Sequence, residues 1–309
     1  LMLAIAVKTR SIWSLVLGSV LSSFLKTVLT HTVLPGHRNK LSWDPAARKA
    51  ILTFGRWIFV STALTCLSGQ SDRLILGKLV SASMLGLYAI AGNLASLPGQ
   101  LIGQLSQRVL YPVIATSLRQ GGDQGATIRK NNTRLLLVLA PIVAMGIVLA
   151  APVVSLLYRR DYWDVGPLVA ILTIGTWLGA ISTSYTITLL AAGLPKYLAF
   201  GNIAKTVLFV SLIFFASERY GLAGVALLVS LSELGNLVVA MIGCRLTGTI
   251  AWKADLAMTI FVAAYAAFCK VLYEASLRFM HGVRVGAIAV VAGITALVVV
   301  GLAKRSKLI

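Results

Sequence analysis

Charged and amide side chains stand within or at the ends of long apolar segments of this sequence, and they are the residues best suited to chemistry. Asp72 and Arg73 are neighbours at the end of one apolar segment. Gln100, Gln104 and Arg108 recur every four residues in the next segment, so an α-helix would place them close to one face. A guanidinium on that face is suited to bidentate contact with phosphate oxygens. These residues therefore predict a surface that binds an anionic group.

A second set of candidate residues lies nearer the C-terminus. Glu233 falls in the middle of an apolar segment, with Ser230 and Asn236 one helical turn away on either side. A carboxylate at such a position is costly unless it is paired or protonated. Lys205, in the preceding apolar segment, is a candidate partner for Glu233 and a candidate contact for an anionic ligand. We expect Glu233, and also Asp72, to bind a coupling ion or a proton.

Each of these residues also has a purely structural interpretation. Asp72 and Arg73 can form an ion pair at a helix end. The glutamines and Arg108 can hydrogen-bond to neighbouring helices and hold a bundle together. Lys205 and Glu233 can form a buried ion pair with no role in ion binding. The residues alone leave both interpretations open.

The composition places these residues in a membrane. Apolar residues make up 58% of the 309 residues and charged residues only 12%, whereas a soluble domain carries about 25% charged residues. Repeated apolar segments near the length of a bilayer crossing predict an all-α polytopic membrane protein with about nine transmembrane helices and a partial one at the start. The segments are 12–30, 51–70, 84–110, 134–158, 166–191, 197–216, 222–244, 256–273 and 284–303.

The local sequence also predicts where helices end. The Asp72–Arg73 pair is expected at the end of a segment, and loops are expected at 31–50 and 118–133. Pro98 and Gly99 are expected to interrupt the third long segment, because proline has no backbone N–H to donate.

The net charge of +19 does not indicate a nucleic-acid partner, because the basic residues form no long run and no binding module is recognisable. Lys and Arg are more frequent in one alternate set of loops, mainly through 31–50 and 118–133. That asymmetry predicts that this set and the C-terminus are cytoplasmic.

Signatures of metal, cofactor or enzyme chemistry are absent from the sequence. The three cysteines are widely spaced inside apolar segments, where the thiol is typical of a packing residue, and the histidines do not pair at ligand spacing. A P-loop, a G-x-S-x-G motif and an H-E-x-x-H motif are all missing. We therefore predict no cofactor, no metal and no enzymatic activity.

Three motifs carry a resemblance to a known family. D-R-x-x-L-G, L-G-x-Y and Q-R-V-x-x-P occur in this order between Asp72 and Pro112, and A-A-G-L-P-K-Y follows at 191–197. This pattern resembles the polysaccharide transporter (Wzx-type oligosaccharide flippase) family of the multidrug/oligosaccharidyl-lipid/polysaccharide exporter superfamily. The motifs anchor residues 51–245 to the family, and the flanking segments are assigned by hydropathy alone.

The resemblance implies up to fourteen helices, in two six-helix lobes around a central cavity and two appended C-terminal helices. Residues 1–50 would then be the end of the first lobe with the inter-lobe cytoplasmic loop, 51–245 the second lobe, and 246–309 the appended pair. The apolar run at the start would be the end of a helix whose beginning is missing, so we expect an N-terminally truncated chain.

The resemblance also implies a function. Its substrate would be an undecaprenyl-pyrophosphate-linked oligosaccharide, flipped across the bacterial inner membrane by alternating access. Lipid-linked oligosaccharide and membrane lipids would be the partners, with a polysaccharide polymerase and a chain-length regulator as further candidates.

Several alternatives remain. Within the superfamily they are a peptidoglycan lipid-precursor flippase and a cation-coupled drug exporter, although the positive charge around Arg108 argues against cationic drugs. A membrane glycan polymerase or ligase would need large periplasmic loops with functional Arg or His. A non-transporting scaffold of polysaccharide assembly would tolerate charge reversal at Arg108.

Overall fold

The computed structural model describes residues 13–32, 44–120, 124–279 and 284–306, and within these ranges every regular element is a helix. One π-helical turn lies at Ser106–Leu110, and one 3-10 turn lies at Arg160–Tyr162. The helices are α1 Trp13–Thr32, α2 Pro45–Leu79, α3 Ala82–Leu105, α4 Tyr111–Gln120, α5 Gln124–Leu157, α6 Val165–Ala191, α7 Lys196–Leu246, α8 Trp252–Phe279 and α9 Arg284–Ser306.

The predicted class, an all-α polytopic membrane protein, is confirmed. Within the described ranges five stretches are long and apolar enough to cross a membrane. They are Ile128–Leu157, Arg160–Ala191, Lys196–Leu246, Trp252–Phe279 and Val285–Ala303.

Helix α7 is too long for one crossing and is bent near its middle. Its 51 residues would extend about 75 Å if straight, against about 30 Å of hydrocarbon. The backbone leaves helical geometry at Gly221, where φ is 56° and ψ is −143°. We call residues 196–220 the first arm and residues 222–246 the second arm. The bend lies between the predicted segments 197–216 and 222–244.

Several helices extend further than their apolar segments. Helix α2 continues through Asp72 and Arg73 to Leu79, so this pair does not end a helix as expected. The expected loop at 118–133 is also largely helical, because α4 reaches Gln120 and α5 begins at Gln124. Hydropathy detects only the apolar part of a helix, whereas backbone hydrogen bonding continues through polar turns.

The expected interruption at Pro98 and Gly99 is wrong. Helix α3 runs through both residues to Leu105, and the irregularity comes later, in the π-helical turn. Pro98 has no N–H to donate to the carbonyl oxygen of Leu94. The Thr176 hydroxyl of α6 donates to the neighbouring carbonyl oxygen, that of Ala95, at 3.0 Å. Neighbouring helices can satisfy backbone groups in this way inside a membrane bundle.

Helix α6 is the central helix of residues 52–309. It packs against α3, α5 and α7, and its buried residues occur along its whole length. One apolar cluster includes Trp177 and Tyr185 of α6, and a second includes Val165 and Leu168 near its start. The chain divides into two compact units, Leu1–Ile51 and Leu52–Ile309, and the site described below lies within the second.

Candidate ligand cavity

A polar cavity of about 540 Å³ is lined by α2, α3, α6 and both arms of α7. Four residues that the sequence singled out line it together: Arg73, Gln100, Lys205 and Glu233. Charged and amide groups inside membrane helices are expensive to maintain and commonly mark a ligand or ion path. The other polar side chains in the wall are Tyr88, Ser96, Thr176, Thr183, Asn202, Ser230 and Asn236.

An ion pair joins the two arms of α7 at the cavity wall. Lys205 Nζ on the first arm lies 2.5 Å from Glu233 Oε1 on the second, which is the pairing that the sequence suggested. The two side chains remain 23% and 18% exposed. The pairing offsets the cost of holding each charge in the membrane, and the cavity still gives access to both groups.

Glycines bring the helices close enough for this pairing. A Cβ atom on Gly235 would lie 3.0 Å from the backbone nitrogen of Lys205, and one on Gly175 would lie 2.7 Å from the Cα of Ser230. The arms therefore cross each other, and α6 crosses the second arm, at backbone contact, as small residues allow in membrane helices. Lys205 and Glu233 lie next to these crossings.

Arg73 reaches the cavity from α2 and contacts α3. Its Nη2 atom donates to Asn93 Oδ1 at 3.3 Å. Further along α3, Gln100 Nε2 donates to Ser96 Oγ at 3.1 Å, and that hydroxyl donates to the carbonyl oxygen of Asn93 at 2.8 Å. This wall therefore offers one guanidinium and a row of amide and hydroxyl groups.

Two asparagines flank the ion pair. Asn202 Nδ2 donates to the backbone oxygen of Ser61 at 3.3 Å and thereby ties the first arm to α2. Asn236 Oδ1 is buried against Gly201 and accepts no hydrogen bond from the described residues.

The remaining predicted residues do not join this cluster. Gln104 and Arg108 are exposed and do not line the cavity. Arg108 lies in the π-helical turn, where the wider turn shifts the residues that follow out of the i, i+4 register. The single polar face expected from the spacing is therefore not formed. The side chain of Asp72 lies outside the part of the chain that the structure describes.

A buried polar cluster escaped the sequence analysis. The Tyr185 hydroxyl of α6 donates to the carboxylate of Asp255 at the start of α8, and it accepts from the backbone N–H of Ala251 at 3.1 Å. The Trp177 indole N–H donates to Thr259 Oγ1 at 3.1 Å. Asp255 directly precedes the predicted segment 256–273, so hydropathy alone assigns it to a loop. Its position in the first turn of a helix, after Trp252, was the available signal.

A second cavity, of about 240 Å³, lies on the other side of α3, between α5 and α6. Its wall is almost entirely apolar and includes Leu97, Leu101, Met145 and Val169. Because it offers no charged group, it does not compete with the polar cavity as the site of an anionic headgroup.

The sequence comparisons identify related proteins. The family described as "Polysaccharide biosynthesis protein" matches residues 1–167. The lipopolysaccharide biosynthesis protein WzxC of Escherichia coli K12 is 23% identical over 238 residues, which are 74% of this chain and 47% of that protein. The teichuronic acid biosynthesis protein TuaB of Bacillus subtilis 168 is 23% identical over 248 residues, or 77% of this chain and 50% of that protein. The chain thus spans about half the length of these curated relatives.

Among solved structures, the lipid II flippase MurJ in an inward closed conformation has a similar fold. The TM-score is 0.66 at 13% sequence identity, and the match covers 97% of this chain and 63% of that one. At this identity the similarity concerns the fold alone.

Proposed function

Because this chain belongs to the polysaccharide biosynthesis protein family, we propose that it acts in a flippase for lipid-linked oligosaccharide repeat units. The substrate is an undecaprenyl-pyrophosphate-linked oligosaccharide, moved across the bacterial inner membrane for exopolysaccharide, capsule or O-antigen synthesis. The observation that carries the proposal is the polar cavity, in which Arg73 and Lys205 meet amide and hydroxyl groups, and two of the helices that line it, α6 and α7, are long and apolar enough to cross a membrane.

The cavity matches the chemistry of this substrate class. The two cations provide charge-assisted hydrogen bonds for phosphate oxygens, and Gln100, Asn202 and Thr183 can exchange hydrogen bonds with sugar hydroxyls. The volume of about 540 Å³ lies within the usual range of small-molecule sites, roughly 300–1,000 Å³. It suits the diphosphate and the adjoining sugar rather than a whole oligosaccharide.

The proposal includes an arrangement of the chain. Residues 51–245 form the second lobe, 246–309 the appended pair of helices, and 1–50 the end of the first lobe with the inter-lobe loop. The C-terminus is cytoplasmic, and a polysaccharide polymerase and a chain-length regulator are candidate partners. The similarity to MurJ is one of fold, and it does not favour a peptidoglycan precursor as the substrate.

Ion coupling is assigned to Glu233, with Asp72 as a second candidate. Glu233 is the acidic residue in the cavity wall and belongs to the pair that joins the two arms of α7. Binding of an ion or a proton to this carboxylate therefore alters the contact between the two arms.

The role of the cations is tested with the full-length gene product in a strain that lacks its own flippase. We expect Arg73→Gln and Lys205→Gln each to lower surface polysaccharide by about tenfold or more, because each removes a charged contact to the substrate. Lys78→Gln on α2 and Arg219→Gln on α7 remove exposed charges outside the cavity and serve as matched controls. Wild-type polymer from both cavity variants, at equal membrane expression, contradicts the proposal.

Coupling is tested in the same strain with Glu233→Gln. We expect transport to lose its dependence on an imposed proton or sodium gradient, because the amide cannot bind either ion as a carboxylate does. Full gradient-driven transport by this variant excludes Glu233 as the coupling residue.

A further inference from the structure

We infer that the turn between α5 and α6, residues 158–164, binds the distal sugars of the lipid-linked oligosaccharide, beyond those that the polar cavity holds. We call this segment the aromatic turn. The inference rests on the proposed function, since it concerns another part of the same substrate.

The aromatic turn presents aromatic rings beside charged groups. The ring centroids of Tyr158 and Tyr162 lie 5.9 Å apart, and the Arg160 guanidinium carbon lies 5.8 Å from the centroid of the Trp163 ring. Tyr162 and Trp163 are 38% and 40% exposed. The two aspartates of the turn, at positions 161 and 164, are exposed as well.

These groups are suited to a carbohydrate. One face of a pyranose ring presents C–H groups, which pack against the negative face of an aromatic ring. Its hydroxyl groups donate to carboxylates and accept from a guanidinium. A sugar on the Trp163 ring therefore meets the Arg160 guanidinium, with the carboxylates of Asp161 and Asp164 two residues before the ring and directly after it in the chain.

The backbone of the aromatic turn is held in place. The Trp163 N–H donates to the carbonyl oxygen of Arg160 at 3.2 Å. Directly after the turn, Val165 is fully buried, and a Cβ atom on Gly166 would lie 2.8 Å from the Cα of Ala151. Helices α5 and α6 thus meet at backbone contact beside the turn. A site that is ordered before its ligand arrives loses less entropy on binding.

The aromatic turn lies near one end of the polar cavity. Leu172 is the cavity residue nearest the start of α6, and it follows Asp164 by eight residues, or about 12 Å along a helix. Tyr158 packs against the apolar cluster that contains both Leu172 and another cavity residue, Tyr88. Because the cavity suits the diphosphate and one sugar, the next sugars lie outside it, and a chain of a few sugars reaches the turn.

The aromatic turn is on the exit side of the proposed arrangement. Five crossings separate it from the cytoplasmic C-terminus, made by α6, the two arms of α7, α8 and α9, so the turn is periplasmic. A ligand shifts a conformational equilibrium toward the state that it binds better. Sugars that bind to the turn therefore favour the stage of transport in which the oligosaccharide has left the cavity outward.

Exposed Trp and Tyr residues also anchor helices at the membrane–water interface. The two carboxylates favour a sugar over this role, because they repel anionic headgroups and because the chain has only nine acidic residues. Trp252 at the start of α8 offers a comparison. Its ring is exposed and lies 5.6 Å from the Lys253 ammonium, but an aspartate does not adjoin it in the chain.

The test compares two ligands that share the diphosphate and the first sugar. The full-length gene product is placed in nanodiscs of neutral phosphatidylcholine. They contain either the lipid-linked repeat unit extracted from the source bacterium or the one-sugar precursor that accumulates when the second glycosyltransferase is deleted. Binding is measured by native mass spectrometry. We expect the wild type to bind the whole repeat unit more tightly. Trp163→Ala should weaken that binding about tenfold and precursor binding less than about twofold.

Matched variants separate a lost sugar contact from a structural defect. Trp163→Phe keeps an aromatic ring and should retain most of the preference for the whole repeat unit. Trp252→Ala removes an exposed ring next to a cation and should change neither affinity. If Trp163→Ala does not fold, Asp161→Asn, an exposed change, replaces it and should weaken binding of the whole repeat unit alone.

Three results overturn the inference and leave the proposed function standing. They are equal affinities of the wild type for the two ligands, an unchanged preference in Trp163→Ala, and an equal loss of both affinities in that variant, as expected of an interfacial anchor. A wild type that binds neither ligand overturns both.

Discussion

At the scale of single residues, charge inside an apolar segment was the most informative signal. Arg73, Lys205 and Glu233 could be singled out from the sequence, because an ionised side chain in a membrane needs a partner or a purpose. Arg108 was singled out by the same argument but lies outside the cavity wall. Its place depends on the backbone of one π-helical turn, which side-chain spacing does not reveal.

The buried Tyr185–Asp255 pair gives a prediction at this scale. We expect Tyr185→Phe to lower the free energy of unfolding by about 1–3 kcal/mol, because the Asp255 carboxylate and the Ala251 N–H both lose their partner. Thermal unfolding of the purified protein measures the effect. Tyr220→Phe, which changes an exposed tyrosine, is the control, and equal melting temperatures for the two variants would contradict the prediction.

At the scale of elements, the long helices were predictable and their ends were not. Apolar length predicts a crossing, but α2 and α5 continue into polar sequence that hydropathy assigns to loops. The two arms of α7 were predicted as separate segments, since Arg219 and its polar neighbours separate two apolar runs. Which arm faces which, and therefore the pairing of Lys205 with Glu233, required the crossings at Gly175 and Gly235.

The bend in α7 depends on glycine. Gly221 has a φ of 56° and a ψ of −143°, a sparsely populated backbone region that favours glycine and costs other residues roughly 1–3 kcal/mol. We expect Gly221→Ala to lower thermal stability by about that amount. Gly293→Ala is the matched control, because Gly293 has an ordinary helical φ and open space around its Cα. A Gly221→Ala protein at least as stable as the control would show that the bend tolerates a side chain.

At the scale of the whole molecule, composition was sufficient for the class of protein, and it also predicts an orientation. The Lys and Arg asymmetry of the loops predicts a cytoplasmic C-terminus. A green fluorescent protein fused after Ile309 should therefore be fluorescent, and an alkaline phosphatase fused there should be inactive. An active phosphatase fusion, with a dark fluorescent one, would reverse the orientation.

The geometry of α7 has a mechanical consequence. Lys205 and Glu233 lie sixteen and twelve residues from the bend at Gly221, or about 18–24 Å along the arms. At these distances from the bend, a change of about 5° in the angle between the two arms separates the paired atoms by nearly 2 Å. That separation is enough to break their hydrogen bond. The ion pair therefore holds the two arms together at a point far from the bend. Only a slight angular movement of the arms is needed to break it.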